Sequence, residues 1–361
     1  MFEYSATANR WLEFVSQTVG GAITFGAALF AVTSGGAIHP GEVGMILTNA
    51  TMITYALPNL VRAVTSVETN VVAIERIDEY THAPEEEIWN TSENIQLSME
   101  WPEEGEITFS QYSTRYREHL DLALNTIDLS ISGGEKLGVI GRTGAGKSTL
   151  VSALFRLIES SSGSISIDQK DISEIGLHDL RNKISIITQD PFMFTGSIRS
   201  NLDPLNMHTD DVIWYALKSA HIYDYVRSLE GGISYMINQG GDNLSLGQKQ
   251  LLCLARALLE KNRIVVLDEP TASVDIETDE LIHDAIKKEF RHSTVITIAH
   301  RINTIIEYDR IMVLEKGKVA EFGTVFELFE NQEGIFHSMI QTAYKGKELP
   351  RSLRTTQNTH L

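Results

Sequence analysis

The sequence predicts a layered α/β domain preceded by an α-helical membrane hairpin. Three observations carry this. Two long uncharged stretches lie near the start, short β-rich apolar runs alternate with helical patterns from residue 107 onward, and one of those runs leads directly into a glycine-rich loop and a helix. A chain of 361 residues has room for two units, one of them large, with a substantial buried core.

The hairpin comes first. From Val15 to Ile38 there is no charged residue. As a helix this stretch spans roughly 36 Å at the standard rise, enough for a hydrocarbon core of about 30 Å. It is too long for a signal-peptide core and follows no Lys/Arg-rich start, so it does not read as a cleavable signal. After His39-Pro40-Gly41-Glu42 a second uncharged run, Val43 to Val61, has about the length of one more crossing. Arg10 precedes the first run, Arg62 and Arg76 follow the second, and the turn between has neither Lys nor Arg, which places both ends in the cytosol. The many small residues suit close helix packing among lipids, and equally a hydrophobic hairpin buried in a soluble protein. Two helices alone make a poor channel or carrier, so a larger bundle is expected around them. Val64, Val67, Val71, Ile74 and Ile77 continue the helical spacing beyond Arg62, so a cytosolic stalk should run to about Tyr80.

Residues 83–106 are acidic, carry two prolines and lack sustained periodicity, which reads as a surface linker between a membrane part (1–82) and a domain over 107–344. Within that domain the runs Ile107 to Phe109, Lys136 to Ile140, Ser164 to Ile167, Ile184 to Thr188, Ile264 to Leu267 and Thr294 to Ala299 have the continuous apolar character of buried parallel strands. The polar tail 345–361 should be disordered. A net charge of -18 argues against nucleic acid as a partner. The single cysteine, Cys253, excludes an internal disulfide and fits reducing surroundings.

The chemistry begins where the run ending at Ile140 meets Gly141-Arg142-Thr143-Gly144-Ala145-Gly146-Lys147-Ser148-Thr149, which satisfies G-x-x-x-x-G-K-[ST] with a strand before it and a helix after. This is a phosphate-binding P-loop. Backbone N–H groups and a helix N-terminus face the phosphates, Lys147 reaches the β and γ oxygens, and the Ser148 hydroxyl serves Mg²⁺. ATP with Mg²⁺ is the implied ligand. Asp268 and Glu269 emerge at the carboxyl end of Ile264 to Leu267, the edge where α/β sheets hold ligands. Asp268 is a candidate for Mg²⁺ and Glu269 for polarising the attacking water. Between these elements lies Leu244-Ser245-Leu246-Gly247-Gln248, in which Ser245 and Gln248 have capping-box spacing at a helix start.

Taken together, the P-loop, this pentapeptide upstream of the Asp268-Glu269 strand, and a histidine ending the next strand resemble the ABC ATPase family. The resemblance implies a mixed sheet with a helical signature subdomain. It implies that Ser245, Leu246, Gly247 and Gln248 are the signature that touches ATP held by an opposite nucleotide-binding domain, consistent with a helix N-terminus as an anion site. It assigns Gln189 of I-T-Q-D-P to the loop that contacts Mg²⁺ and the attacking water and faces the transmembrane helices. It gives Asp275 to the loop crossing between nucleotide domains and His300 to the γ-phosphate. Tyr116 of R-Y-R lies where the family places its adenine-stacking aromatic, with Tyr112 as the competitor.

The phrases R-Y-R-E-H-L-D-L-A-L, F-T-G-S-I-R-S-N-L-D-P and V-E-T-N-V-V-A-I-E-R-I-D-E-Y resemble the multidrug-resistance-associated (ABCC) subfamily, specifically its last two transmembrane helices and second nucleotide-binding domain. The implied partner is an N-terminal transporter half with the first nucleotide-binding domain. The implied activity is ATP-driven export of organic anions and conjugates, with the plasma membrane favoured over an internal one. Leu246 departs from the glycine of L-S-G-G-Q, and Asn59 stands where many relatives carry an aromatic residue, which leaves the substrate class open. Arg62 is a candidate contact for an anionic substrate and equally a topology anchor. A regulatory, non-transporting relative and a truncated product remain alternatives. The ending Thr359-His360-Leu361 matches either an idle tail or a ligand for a PDZ domain, captured through the carboxylate of Leu361.

Overall fold

In the computed structural model the chain falls into two compact units, Met1–Glu86 and Glu87–Leu361. The structure describes residues 2–34, 37–83, 85–92, 95, 97–98, 100–268, 276–299 and 302–344.

The first unit is a pair of helices, α1 (Phe2–Thr33) and α2 (Pro40–Thr81). Pro40 opens α2 at a position where a missing N–H is tolerated, and the His39 N–H donates to Glu42 Oε2 at 3.1 Å, which fixes the turn between them. The helices meet at small residues. A Cβ on Gly20 would lie 2.6 Å from the Thr54 side chain, and the Thr24 and Thr54 hydroxyls are 3.3 Å apart. Among the described residues one helix is long and apolar enough to cross a membrane, over Glu13–Thr33. The run Val43 to Val61 lies within α2, where Thr48, Asn49, Thr51, Thr54 and Asn59 dilute its apolar character. Only 11% of the α1 window is buried, and Phe14, Phe25 and Phe30 are exposed within this unit. A helix covered in a soluble core would not leave such a surface.

The second unit starts its regular structure with β1 (Ile107–Thr114), β2 (Leu124–Ile131), β3 (Lys136–Gly141), α3 (Lys147–Leu154), β4 (Ser162–Ile167), β5 (Lys170–Asp171) and α4 (Leu177–Arg181). It continues through β6 (Ile184–Ile187), β7 (Gly196–Ser197), α5 (Ile198–Leu202), α6 (Asp210–Ser219), α7 (Tyr223–Ser228), β8 (Met236–Ile237) and α8 (Leu246–Glu260). It closes with β9 (Ile264–Asp268), α9 (Ile276–Glu289), β10 (Thr294–Ile298), α10 (Ile302–Ile305), β11 (Arg310–Glu315), β12 (Lys318–Gly323), α11 (Val325–Glu330) and α12 (Ile335–Ala343).

The main sheet has the order β12-β11-β3-β10-β9-β6. Its strands β11, β3, β10, β9 and β6 are parallel neighbours, and the apolar runs of β3, β9 and β10 are buried on both faces, as Leu137, Val139, Ile264 to Leu267 and Ile298 show. A second sheet, β2-β1-β4-β5, is antiparallel. This corrects the reading of Ile107 to Phe109 and Ser164 to Ile167 as parallel strands: a run of three or four apolar residues does not carry strand direction. One core lies between the sheets and includes Phe109, Ile131, Leu150 and Ile165, while a second joins α6, α8 and α9 through Ile213, Leu254 and Ile286.

The expectation of a surface linker also needs correction. From Glu87 onward the segment belongs to the second unit. Leu177 N–H donates to the Ile88 carbonyl at 3.0 Å and His178 N–H to the Trp89 carbonyl at 2.9 Å. The Thr91 hydroxyl donates to Asp179 Oδ2 at 2.5 Å, and Trp101 is buried with its indole N–H on the Ile167 carbonyl. Glu85, Glu87, Glu100, Glu103 and Glu104 are exposed while Trp101 and Thr91 tie the segment down. The tail 345–361 lies outside the described residues.

Candidate nucleotide site

The site is built at the edge where β3, β10, β9 and β6 end together, since these strands run parallel. β3 stops at Gly141, where a Cβ would lie 2.4 Å from the Leu314 carbonyl oxygen, so the loop can leave the strand only with a glycine there. Gly146 starts α3 at φ 106, a left-handed value that also brings it against Leu124 and Ala123. Ala145 N–H closes back on the Arg142 carbonyl at 3.0 Å, and Gly317 N–H of the β11–β12 turn holds the Ala145 carbonyl at 2.9 Å. These bonds shape a loop whose N–H groups lead into the helix start. Lys147 is 7% exposed. Its Nζ donates to the carbonyls of Gly141 at 2.8 Å and Arg142 at 3.4 Å. Burial pushes its pKa below the ordinary 10.5, and the Asp268 carboxylate pushes it back up. A buried ammonium and a carboxylate thus face each other across the edge, although their strands, β3 and β9, are separated by β10 and so stand roughly 10 Å apart at the usual strand spacing.

The two candidate aromatics part company. Tyr116 is 57% exposed, and its hydroxyl lies 3.1 Å from Thr149 Oγ1 in the first turn of α3. Tyr112 is 3% exposed, packs edge-on against Phe109, and burial pushes its phenol up to about 12. Of the two, Tyr116 is the one that offers a ring face beside the P-loop. Arg115 is taken up by the Glu118 carbonyl at 3.0 Å.

A family profile described as ABC transporter matches residues 124–272, a span that holds the P-loop, the pentapeptide and Asp268. ATP-binding cassette sub-family C member 2 of Rattus norvegicus is 49% identical over 93% of this chain and 22% of its own length. Multidrug resistance protein mrp-7 of Caenorhabditis elegans is 48% identical over 94% of the chain and 22% of its own length. The chain belongs to the ABC transporter family. It spans about a fifth of the length of the curated relatives it matches. Among solved structures, a bacterial Atm1-family ABC exporter with ATP bound superposes with a TM-score of 0.69 at 26% identity, over 87% of this chain and 54% of that one.

The pentapeptide Leu244 to Gln248 lies at the start of α8. Ser245 Oγ accepts from Gln248 N–H at 3.2 Å while Gln248 Oε1 accepts from Ser245 N–H at 2.8 Å, a reciprocal capping box. Leu246 is 37% exposed at the helix tip. Gln189 follows β6 with an exposed side chain. Lys147, Ser148, Asp268 and Gln189 therefore lie along the strand ends of one ABC domain, whereas the signature makes its bonds within its own turn. Arg62 belongs to the first unit, where its guanidinium is 3.8 Å from Glu13. Glu269, Asp275 and His300 lie outside the described residues, although the strands that lead to Glu269 and His300, β9 and β10, are described. Sequence reasoning missed Gln250, a buried amide whose Nε2–H donates to the Gln189 carbonyl at 3.0 Å. The available signal was a polar residue on a helix face that otherwise buries Leu251, Cys253 and Leu254.

Proposed function

We propose that this chain binds and hydrolyses Mg-ATP as the C-terminal part of an ABC exporter for organic anions and conjugates. The observation that carries the reading is the buried Lys147 set in a glycine-shaped loop with Asp268 acting on it from β9. Lys147 donates to the loop carbonyls of Gly141 and Arg142, contacts it can exchange for phosphate oxygens. The residues also suit the metal. The Ser148 hydroxyl and the Asp268 carboxylate are hard oxygen donors, and Mg²⁺ is commonly held by one or two such groups together with substrate phosphates. When bound, it neutralises charge on the β and γ oxygens.

In this reading the N–H groups of 142–148 orient the triphosphate, Lys147 holds its terminal oxygens, and Tyr116 supports the adenine ring. Glu269 takes a proton from the attacking water, while Gln189 and His300 position it and the γ-phosphate. The signature Ser245 to Gln248 serves ATP on another nucleotide domain, so the working partner is an N-terminal transporter half. The α1–α2 pair, with apolar side chains exposed and a Thr-rich second helix, belongs in a larger membrane bundle, for which we favour the plasma membrane. Arg62 and the PDZ-like ending at Leu361 are secondary proposals within the same reading.

The test is to co-reconstitute the chain with an N-terminal half and measure both ATPase turnover and vectorial flux of a glutathione conjugate. Glu269→Gln should cut turnover at least a hundredfold while ATP affinity stays within about twofold, because it removes the base and keeps the phosphate contacts. Undiminished turnover would remove Glu269 from its role. Turnover without flux would favour a regulatory relative.

A further inference from the structure

Gln250 is 2% exposed, and its side-chain Nε2–H donates to the Gln189 carbonyl at 3.0 Å. Its Oε1 is buried and has no partner among the described residues. What the amide adds is the donor. Its target lies between the end of β6 at Ile187 and the start of β7 at Gly196, where the backbone forms no regular ladder and Asn201 clamps both the N–H and the carbonyl of Phe194 further on.

A second side chain of α8 reaches the same stretch of chain further on: Arg256 Nε–H donates to the Asn201 carbonyl at 2.9 Å. α8 thus holds the segment 189–201 near each of its ends with a side-chain donor. Gln250 makes the first of these ties, at the residue assigned to the attacking water, and it lies two residues beyond the signature.

We infer that Gln250 is a positioning residue: it fixes the backbone of Gln189 to the signature helix, so that the catalytic placement of Gln189 follows the position of α8. This rests on the reading of the chain as an ATPase. Gln250→Met keeps length and bulk and removes the donor. Arg256→Met removes a bond of the same kind from the same helix at the far end of the segment.

The experiment measures Mg-ATP turnover by the full chain co-reconstituted with an N-terminal half, alongside hydrogen exchange of amides 188–194 in the full chain. For Gln250→Met, kcat should fall about tenfold with the KM for ATP within twofold, and exchange at 188–194 should speed up at least tenfold while the amides of α8 hold. Arg256→Met should lower the melting temperature and leave kcat within twofold. A Gln250→Met protein with wild-type kcat overturns the inference and leaves the ATPase reading standing. A wild-type assembly without turnover overturns the ATPase reading instead. Unchanged exchange at 188–194 in Gln250→Met overturns the inference whether or not turnover is seen, and an equal loss of kcat in both variants reduces Gln250 to a structural tie.

Discussion

Tyr116 and Tyr112 stand four residues apart in a strand-to-loop transition, and their surroundings separate them completely. Tyr112 contributes its ring to the core beside Phe109, whereas Tyr116 presents an exposed ring whose hydroxyl touches Thr149. If Tyr116 stacks on the adenine, Tyr116→Ala should weaken binding of a fluorescent ATP analogue about tenfold, the size of a lost aromatic contact. Tyr116→Phe should bind within about twofold of wild type, because the ring remains. Tyr112→Ala should instead cost about 3 kcal/mol of stability, as large core truncations do. Wild-type affinity in Tyr116→Ala would end the stacking assignment. Residues such as Lys147 and Ser148 can be picked out from sequence because their roles follow from neighbours in an unbroken string. Gln250 cannot, since its contact is with a carbonyl 61 residues earlier and depends on which face of α8 meets that loop.

At the scale of elements, the fold class is legible in the buried runs of β3, β9 and β10, whose apolar stretches and following loops read as parallel strands. β2, β11 and β12 lie outside the runs that the sequence singles out, and the antiparallel sheet is hidden because β1 and β4 look locally like the parallel strands. The segment before β1 gives a further case. Its acidic composition reads as a linker, yet it is anchored to the turn before α4 and to α4 itself. Hydrogen bonds from the Thr91 hydroxyl and then from the Thr91 N–H hold Asp179 below its ordinary 3.8. A carboxylate with a depressed folded pKa contributes stability that is present above 3.8 and lost as pH falls through the lower, folded value. Wild type should therefore melt a few degrees above Asp179→Asn at pH 7, and the two curves should converge as pH drops below 3.8. Gly176→Ala should release the same anchor at every pH, because its Cβ would lie 2.3 Å from the Asn90 and Thr91 backbone. A gap between wild type and Asp179→Asn that persists unchanged well below pH 3.8 would show that the ionised carboxylate is not what secures the segment.

At the scale of the molecule, the chain carries one P-loop and one signature, and it spans 22% of the length of the relatives it matches. In the proposed reading these two motifs serve different ATP molecules, so a complete site requires a second nucleotide domain. The signature's own geometry favours this arrangement: Ser245 and Gln248 close a capping box on each other at an exposed helix tip that carries Leu246. Such a tip can approach a phosphate brought by another domain. Mass action then sets a quantitative expectation. While the chain is far below the dissociation constant for self-association, the fraction present as pairs grows in proportion to concentration, so the total rate should rise with its square and the rate per chain linearly. A tenfold dilution in this range should cut specific activity about tenfold, and adding an N-terminal half should restore it at fixed chain concentration. Lys147→Ala should abolish the rate at every concentration, because it removes the phosphate contact. The measurement is ATPase rate against chain concentration in detergent, with the oligomeric state followed by light scattering at each point. A specific activity that stays constant across dilution in a preparation shown to be monomeric would mean that one chain completes its own site, and the shared-site reading would have to be abandoned.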